Sequence, residues 1–174
     1  FEGSSIINGD YIVIIATMKS KNRKTDIMVQ IWILCKKFDP IQAFKKKKDE
    51  SICGNCKFRL ALGGERKCYV NIGQAPLMIY ESYRKGLYKD ISNEKDLSKY
   101  FENRSTWLGA YGDPINIPIA KVKSMFGKAK RKNCGYTHQW KRFPKSPMKN
   151  YCMASADTKA EAIMAQSKGW NTFR

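Results

Sequence analysis

The sequence predicts an α/β fold, in the form of an incomplete (βα) barrel or an open, mostly parallel sheet. Short predicted strands alternate with helical segments in residues 105–173, which is typical of parallel strands joined by crossover helices. Two apolar segments near the N-terminus, joined by a polar turn, predict a β-hairpin. A cysteine-rich segment between these two parts predicts a metal knuckle inserted into the fold.

The N-terminal hairpin is predicted from residues 11–18 and 27–35. Both segments are rich in isoleucine and other apolar residues. The second is apolar at nearly every position, which indicates a strand buried on both faces. The polar residues 19–26 between them supply the turn.

Helices and strands then alternate towards residue 173. Proline in a first turn and glycine after a last turn mark helix ends, and apolar residues at helical spacing mark the buried faces. The predicted helices cover residues 76–85, 94–101, 117–130 and 159–168. The predicted strands cover residues 105–111, 134–139, 151–155 and 170–173.

Length and composition indicate a single domain. The chain has 174 residues, of which 43% are hydrophobic, enough to bury one core. Residues 1–50 are assigned to the hairpin and a basic loop, residues 51–75 to the cysteine knuckle and residues 76–174 to the α/β core, and we expect them to belong to a longer chain. No apolar run reaches the roughly 18 residues that span a bilayer, so no membrane partner is expected.

The most specific motif is Cys53-Gly-Asn-Cys56, followed by Cys68. A C-x2-C turn brings two thiolates together and aims backbone N–H groups at the sulfurs, an arrangement that suits zinc and iron–sulfur clusters. This spacing favours a metal over disulfide bonds, and therefore a reducing compartment. We predict a metal centre held by Cys53, Cys56 and Cys68, with zinc as the metal and an iron–sulfur cluster as the alternative.

A zinc site needs a fourth ligand, which the sequence leaves open. The possible donors are Cys35, Cys134, Cys152 and His138, or a cysteine beyond residue 174. The three cysteines among them are also explained as small buried apolar side chains. A three-cysteine site with an open position would instead suit an iron–sulfur cluster.

Three side chains are candidates for catalysis at one edge of the sheet. Asp113, His138 and Asp157 each follow a predicted strand, and α/β folds keep their ligand sites at the carboxyl ends of parallel strands. His138 is the only histidine in the sequence and would act as a general acid–base. Each has a structural explanation as well, because aspartate is an ordinary turn residue and a histidine can be bonded within a strand end.

The net charge of +18 favours a polyanionic partner, with DNA or RNA ahead of an acidic protein. Three basic clusters supply the predicted phosphate contacts, and Trp140 is expected to stack on bases. The predicted nucleic-acid-binding residues are Lys45, Lys46, Lys47, Lys48, Lys130, Arg131, Lys132, Trp140, Lys141, Arg142 and Lys145. Charged runs are also typical of solvated loops, and Trp140 could equally be a buried residue at a strand end.

Several segments together resemble an uncharacterised family of bacteriophage-encoded proteins. They are ICGNC, RKCYVNIGQAPLMIYESYRKGLY, WLGAYGDPINIP, CGYTHQW and CMASADTKAEA, with GWNTFR. The resemblance covers most of the chain from Thr17 onward and implies a phage origin, a cysteine-bound metal and a place in the cytoplasm of an infected bacterial host, but no established activity. The strand–Gly-Asp-Pro–helix unit also looks like part of a radical SAM barrel, although C-x2-C-x11-C differs from the C-x3-C-x2-C of that family.

Three functions follow as hypotheses. The first is a phage-type, basic, metal-stabilised protein that binds nucleic acid. The second is a metal- or iron–sulfur-dependent enzyme that acts on nucleic acid or nucleotides at the edge formed by Asp113, His138 and Asp157. The third is a virion or host-interaction protein whose charge meets an acidic protein surface.

Overall fold

The structure is a computed structural model that describes residues 1–18, 28–59, 66–127 and 133–173. Within these residues, seven strands form one sheet whose spatial order follows the order of the chain. The strands are β1 (Glu2–Ser4), β2 (Tyr11–Thr17), β3 (Val29–Cys35), β4 (Thr106–Tyr111), β5 (Asn133–Thr137), β6 (Met153–Ser155) and β7 (Thr172–Phe173).

Six α-helices are described in the same part of the chain. They are α1 (Pro40–Lys45), α2 (Glu50–Cys53), α3 (Ala75–Arg84), α4 (Ser98–Phe101), α5 (Ile119–Phe126) and α6 (Lys159–Ser167). Short 3-10 helices cover Pro114–Asn116, Gln139–Lys141 and Pro147–Asn150.

The N-terminal hairpin is antiparallel and forms one end of the sheet. β2 pairs with β3 so that Ile12 lies opposite Cys35 and Thr17 lies opposite Gln30. All seven residues of β3 are buried, because β3 lies between β2 and β4 and helices α1, α2 and α3 pack against it. The prediction of a hairpin whose second strand is buried on both faces is confirmed.

The rest of the sheet is parallel. β3, β4, β5, β6 and β7 pair in this order, each parallel to the next. The predicted α/β fold with an open, mostly parallel sheet is therefore confirmed, and the sheet does not close into a barrel. The carboxyl ends of these five strands lie along one edge, because parallel strands all run in the same direction.

Three elements were not expected from the sequence. β1 pairs with β2 through Glu2, Gly3 and Ser4, which carry no apolar signal. Helix α1 lies in the segment that we predicted to be a basic loop, and the Asp39 carboxylate caps it by accepting the N–H groups of Ile41 and Gln42 at 2.8 Å each. Helix α2 contributes Cys53, the first cysteine of the knuckle.

Two predicted boundaries also change. The strand expected over residues 134–139 ends at Thr137, because the N–H of His138 donates to the Asp113 carboxylate at 2.9 Å instead of joining the ladder. The helix expected over residues 117–130 is observed as Ile119–Phe126, and residues 128–130 lie outside the described part of the chain.

A buried polar cluster ties the N-terminal segment to the rest of the fold. The Ser5 hydroxyl contacts the Ser51 carbonyl oxygen at 2.6 Å and the Asn116 Oδ1 at 2.9 Å. The Asn116 amide donates to the same Ser51 carbonyl at 3.1 Å. The loop after β1, helix α2 and the turn after β4 are thus held together at one place.

Gly112 sets the distance between the end of β4 and β3. Its φ is +81°, and a Cβ at this position would lie 2.7 Å from the Ile33 Cβ and 2.8 Å from the Ile33 carbonyl oxygen. A side chain here would therefore be both strained and overlapped by the backbone of β3. The end of β4 can approach β3 this closely because residue 112 is glycine.

We expect Gly112→Ala to lower the free energy of unfolding more than Gly9→Ala, as measured by chemical denaturation. Gly9 has a φ of +82° with no heavy atom near its missing Cβ, so it controls for backbone strain, which costs roughly 1–2 kcal/mol at either site. Overlap with Ile33 should add roughly 1–3 kcal/mol at position 112 alone. Equal losses in the two variants would contradict this account.

Candidate functional site

A cavity of about 370 Å³ opens at the carboxyl edge of the parallel strands. Alternating residues of the sheet form one of its walls, because side chains on a strand point to opposite faces in turn. These wall residues are Gly109 and Tyr111 of β4, Tyr136 of β5, Ser155 of β6 and Phe173 of β7. The cysteine knuckle (residues 51–75) also lines the cavity, with Cys53, Cys56, Phe58, Arg66, Lys67, Cys68, Tyr69 and Val70.

The knuckle turn has the local geometry that its motif predicts. Gly54 adopts a φ of +57°, and the N–H of Cys56 donates to the Cys53 carbonyl oxygen at 3.3 Å. Burial raises the pKa of Cys56, and hydrogen bonds from the backbone N–H groups of Phe58 and Arg59 act against this rise. Backbone N–H groups therefore favour the thiolate of Cys56, which is the form that a metal binds.

Burial also raises the pKa of Cys53 well above its ordinary value. The negative charge of Asp49 adds to this rise, as do the neighbouring Cys56 and Cys68. The three thiols therefore lie close enough together to influence one another electrostatically. Three thiolates at these positions would repel one another, and a bound cation would offset that repulsion.

Hydrogen bonds fasten the knuckle turn to the edge of the sheet. The Gln139 amide donates to the Cys53 carbonyl oxygen at 3.0 Å, and a Cβ at Gly54 would overlap this Gln139 side chain. Arg59 donates to the Gly54 carbonyl oxygen at 3.0 Å and forms an ion pair with the buried Asp49 at 2.9 Å. The position of Cys53 is thus set from both sides.

The predicted metal ligands share the cavity but do not form a closed site. In the described part of the chain, no group of three or more His, Cys, Asp or Glu side chains is arranged to hold a metal ion. Residues 60–65, between Cys56 and Cys68, lie outside the described residues. Among the four predicted candidates for a fourth ligand, His138 lines the cavity and Cys35, Cys134 and Cys152 do not.

Cys35 and Cys152 are buried and bonded elsewhere. The Cys35 thiol donates to the Lys48 carbonyl oxygen and contacts the Ser51 hydroxyl, each at 3.2 Å. The Cys152 thiol donates to the Met148 carbonyl oxygen at 3.4 Å. Both behave as small buried side chains, and burial raises the pKa of Cys35 to about 11.

Asp113 is buried and its carboxylate accepts three hydrogen bonds. The donors are the Thr137 hydroxyl at 2.7 Å, the N–H of His138 at 2.9 Å and the N–H of Ile115 at 3.0 Å. Burial raises the pKa of Asp113 to about 6, although these hydrogen bonds favour the charged form. Asp113 therefore joins the ends of β4 and β5 and borders the cavity at the same time.

His138 lies directly beside Asp113 and lines the cavity. Its ring meets the Phe58 ring edge-on, with 5.7 Å between the centroids. Burial lowers the pKa of His138, and the negative charge of Asp157 opposes this effect. Asp157 itself forms an ion pair with Lys57 at 2.9 Å and is not among the cavity-lining residues. Of the three predicted catalytic residues, the structure places Asp113 and His138 in the cavity wall.

The predicted base-stacking role of Trp140 is wrong for this conformation. Only 1% of the Trp140 surface is exposed, and its indole N–H donates to the Ser155 carbonyl oxygen at 2.9 Å. The neighbouring Lys141, Arg142 and Lys145 are exposed, and Lys141 forms an ion pair with Glu161. A tryptophan beside lysines suits either a buried or an exposed environment, so its sequence context could not separate the two cases.

The other basic clusters keep an exposed position where they are described. Lys45, Lys46, Lys47 and Lys48 are all exposed, and Lys48 lies 3.8 Å from the Asp10 carboxylate. Lys130, Arg131 and Lys132 lie outside the described residues. Arg66 and Lys67, which stand next to Cys68 in the sequence and make the knuckle a cationic segment, line the cavity itself, although the list of predicted nucleic-acid-binding residues did not include them.

A second cavity of about 420 Å³ lies on the hairpin side of the fold. Residues of β2 line it together with Tyr83, Tyr88 and Tyr100. None of the predicted metal-binding or catalytic residues borders it. The cavity at the carboxyl edge is therefore the candidate functional site.

Comparisons with known proteins add no family assignment. No family model, no curated protein and no solved structure matches this chain. None of the helices in the described ranges is long and apolar enough to cross a membrane. The case for a function therefore depends on the site itself.

We expect Asp113→Ala to lower the free energy of unfolding by roughly 2–4 kcal/mol, because three buried donors lose their acceptor. Asp157→Ala is the control, since it removes a half-exposed ion pair that is worth roughly 1 kcal/mol or less. Urea denaturation of both variants measures the difference. A loss at Asp113 as small as that at Asp157 would show that its carboxylate does not hold the edge together.

Proposed function

We propose that this chain is a metal-dependent enzyme that acts on nucleic acid or nucleotides, with Cys53, Cys56 and Cys68 as the metal ligands. One observation carries the proposal: the three cysteines line a single cavity together with Asp113 and His138. The volume of about 370 Å³ lies within the range of small-ligand sites, roughly 300–1,000 Å³.

The donor set fits zinc or an iron–sulfur cluster. Three thiolates suit either group, and the backbone N–H groups directed at Cys56 stabilise a metal-bound sulfur. Structural zinc sites are closed by four protein ligands, whereas catalytic sites keep a position open to a substrate. Cysteines that face a ligand-sized cavity favour the second type. A bound metal would supply Lewis-acid or redox chemistry there.

The roles of Asp113 and His138 differ in this proposal. His138 is the candidate for proton transfer, because its lowered pKa leaves the imidazole neutral and able to accept a proton near pH 7. Asp113 uses its carboxylate to hold the backbone N–H of His138, so we assign it the positioning of that residue. Asp157 contributes a negative charge near His138.

Binding of nucleic acid without chemistry is the second candidate function, and the charge of +18 favours it. Arg66 and Lys67 border the cavity. Lys45 to Lys48 lie at the end of helix α1, and the Lys48 carbonyl oxygen accepts a hydrogen bond from Cys35 at the carboxyl end of β3. A virion or host-interaction protein that meets an acidic protein surface would share this charge. The resemblance to phage proteins supports localisation in the cytoplasm of an infected bacterial host.

We expect protein purified without oxygen to hold one metal centre per chain, measured by elemental analysis. Cys53→Ser, Cys56→Ser and Cys68→Ser should each lower the metal content and the stability, since metal-binding energy is also folding energy. Cys134→Ser should retain the metal, because Cys134 does not line the cavity. Absence of both zinc and iron, or a disulfide bond between Cys53 and Cys56, would overturn the proposal.

We expect the affinity for a single-stranded oligonucleotide to fall with salt, with a log–log slope of roughly −0.7 for each phosphate neutralised. Replacing Lys45, Lys46 and Lys47 by alanine should make the slope shallower. Replacing Lys89 and Lys99 is the control, because both form ion pairs with Glu94. Absence of binding at about 50 mM salt would exclude nucleic acid as the partner, since charge attraction is still strong there.

A further inference from the structure

We propose that the mouth of this cavity stacks one unpaired base of a single-stranded nucleic acid on Tyr69, Tyr136 and Phe173. The proposed function places a metal in this cavity, and the present inference names the ligand that the same cavity binds. It therefore rests on the proposed function. It also moves the predicted stacking surface from Trp140, which is buried, to side chains that the solvent reaches.

Exposed aromatic rings concentrate at this mouth. Among the described residues, four aromatic side chains are exposed. Three of them line the cavity, namely Phe58, Tyr69 and Phe173. The fourth, Tyr11, lies on the hairpin and borders neither cavity. The Tyr69 side chain is 77% exposed. Clustered exposed aromatic rings around a cavity indicate a binding surface more strongly than single ones do.

The rings are held in place rather than scattered. The Tyr136 and Phe173 rings lie against each other, with 4.2 Å between their centroids and 38° between their planes. Arg66 donates to the carbonyl oxygens of Cys68 and Val70, the two residues on either side of Tyr69. The backbone that carries Tyr69 is therefore fixed, which reduces the entropy lost when a ligand binds.

Charge at the mouth selects an anionic ligand. Arg66 and Lys67 line the cavity, and Lys57 lies over the Phe58 ring at 4.9 Å from its centroid. Of the nearby carboxylates, Asp113 is buried within its hydrogen bonds and Asp157 is paired with Lys57. None of the ion pairs in the described residues involves Arg66 or Lys67. Aromatic rings beside such cations are the combination that binds single-stranded nucleic acid, through base stacking and phosphate contacts.

The cavity accepts a single base and excludes a duplex. Its volume of about 370 Å³ suits one nucleotide-sized group, and paired bases keep their faces stacked inside the helix. An unpaired base has two free faces and can enter between the knuckle and the sheet. A base placed there would also reach the wall formed by Cys53, Cys56 and His138. Single-stranded DNA and RNA both offer unpaired bases and phosphates, so the binding of both is measured.

The test measures binding of fluorescent 12-nucleotide oligo-dT and oligo-U by anisotropy. Tyr69→Ala should weaken binding by about 5- to 100-fold, the effect of losing one stacked base. Tyr69→Phe should retain the wild-type affinity, because it keeps the ring. Tyr11→Ala is the matched control, since it removes a tyrosine that is 72% exposed but lies away from the cavity. Its affinity should not change.

Two further measurements separate stacking from charge. Tyr69→Ala should leave the salt slope unchanged, whereas Lys67→Ala should make it shallower by roughly 0.7. A single 2-aminopurine in the oligonucleotide should change its fluorescence when the wild-type protein binds, and not with Tyr69→Ala. A hairpin duplex of the same length should bind with little dependence on Tyr69.

The outcomes distinguish this inference from the proposed function. Equal affinities of wild type, Tyr69→Ala and Tyr11→Ala would overturn the stacking site, as would preferential binding of an acidic polypeptide such as polyglutamate. Metal content is measured on the same preparations. If the protein contains the metal but Tyr69→Ala binds the oligonucleotide as tightly as the wild type, the metal centre is supported and only the proposed stacking of a base is overturned. If Tyr69→Ala lowers the affinity in a protein that contains neither zinc nor iron, the stacking site is supported and the metal centre is overturned.

Discussion

A buried carboxylate holds the carboxyl edge of this sheet together, and the functional site depends on it. Asp113 would be costly to bury alone, but three donors from two neighbouring segments satisfy its oxygens. Its own N–H donates to the Ile52 carbonyl oxygen at 2.7 Å, one residue before Cys53. The same residue therefore fixes the end of β4, the start of the segment that carries His138, and the helix that leads into the knuckle.

The arrangement of charge follows from how few acidic residues the chain has. The described ion pairs involve six acidic side chains, and most of these pairs are exposed and contribute little to stability. The pair between Arg59 and Asp49 is the exception, with only 12% and 1% of the two side chains exposed. Asp157 neutralises Lys57 near the mouth of the cavity, and the other acidic residues neutralise cations elsewhere or inside the fold. None of the ion pairs in the described residues involves Arg66 or Lys67, so the positive charge of both faces the cavity.

The sequence predicted well where a pattern was repeated and local. The apolar run of β3 indicated a buried strand, and the alternation after residue 105 indicated parallel strands whose carboxyl ends meet. The place of Asp113 and His138 at this edge could be predicted because each follows a strand. Trp140 and helix α1 were misjudged because lysine-rich segments give the same pattern whether or not their apolar neighbours are buried. The aromatic mouth could not be predicted, since Tyr69, Tyr136 and Phe173 meet only through the register of three strands and the path of the knuckle.

The contacts of Ser5 have a consequence for how the chain folds. Ser5 lies 46 residues from Ser51 and 111 residues from Asn116, so their cluster closes two loops between distant parts of the chain. Closing such loops is slow compared with forming a hairpin or a helix, because chain entropy is lost before any contact is gained. We expect the hairpin and the helices to form early and the wall around Cys53 to be set late. During synthesis and refolding, the knuckle thiols would therefore be exposed to solvent before the wall around Cys53 has folded. Oxidation of the thiols in that interval would compete with folding of the site.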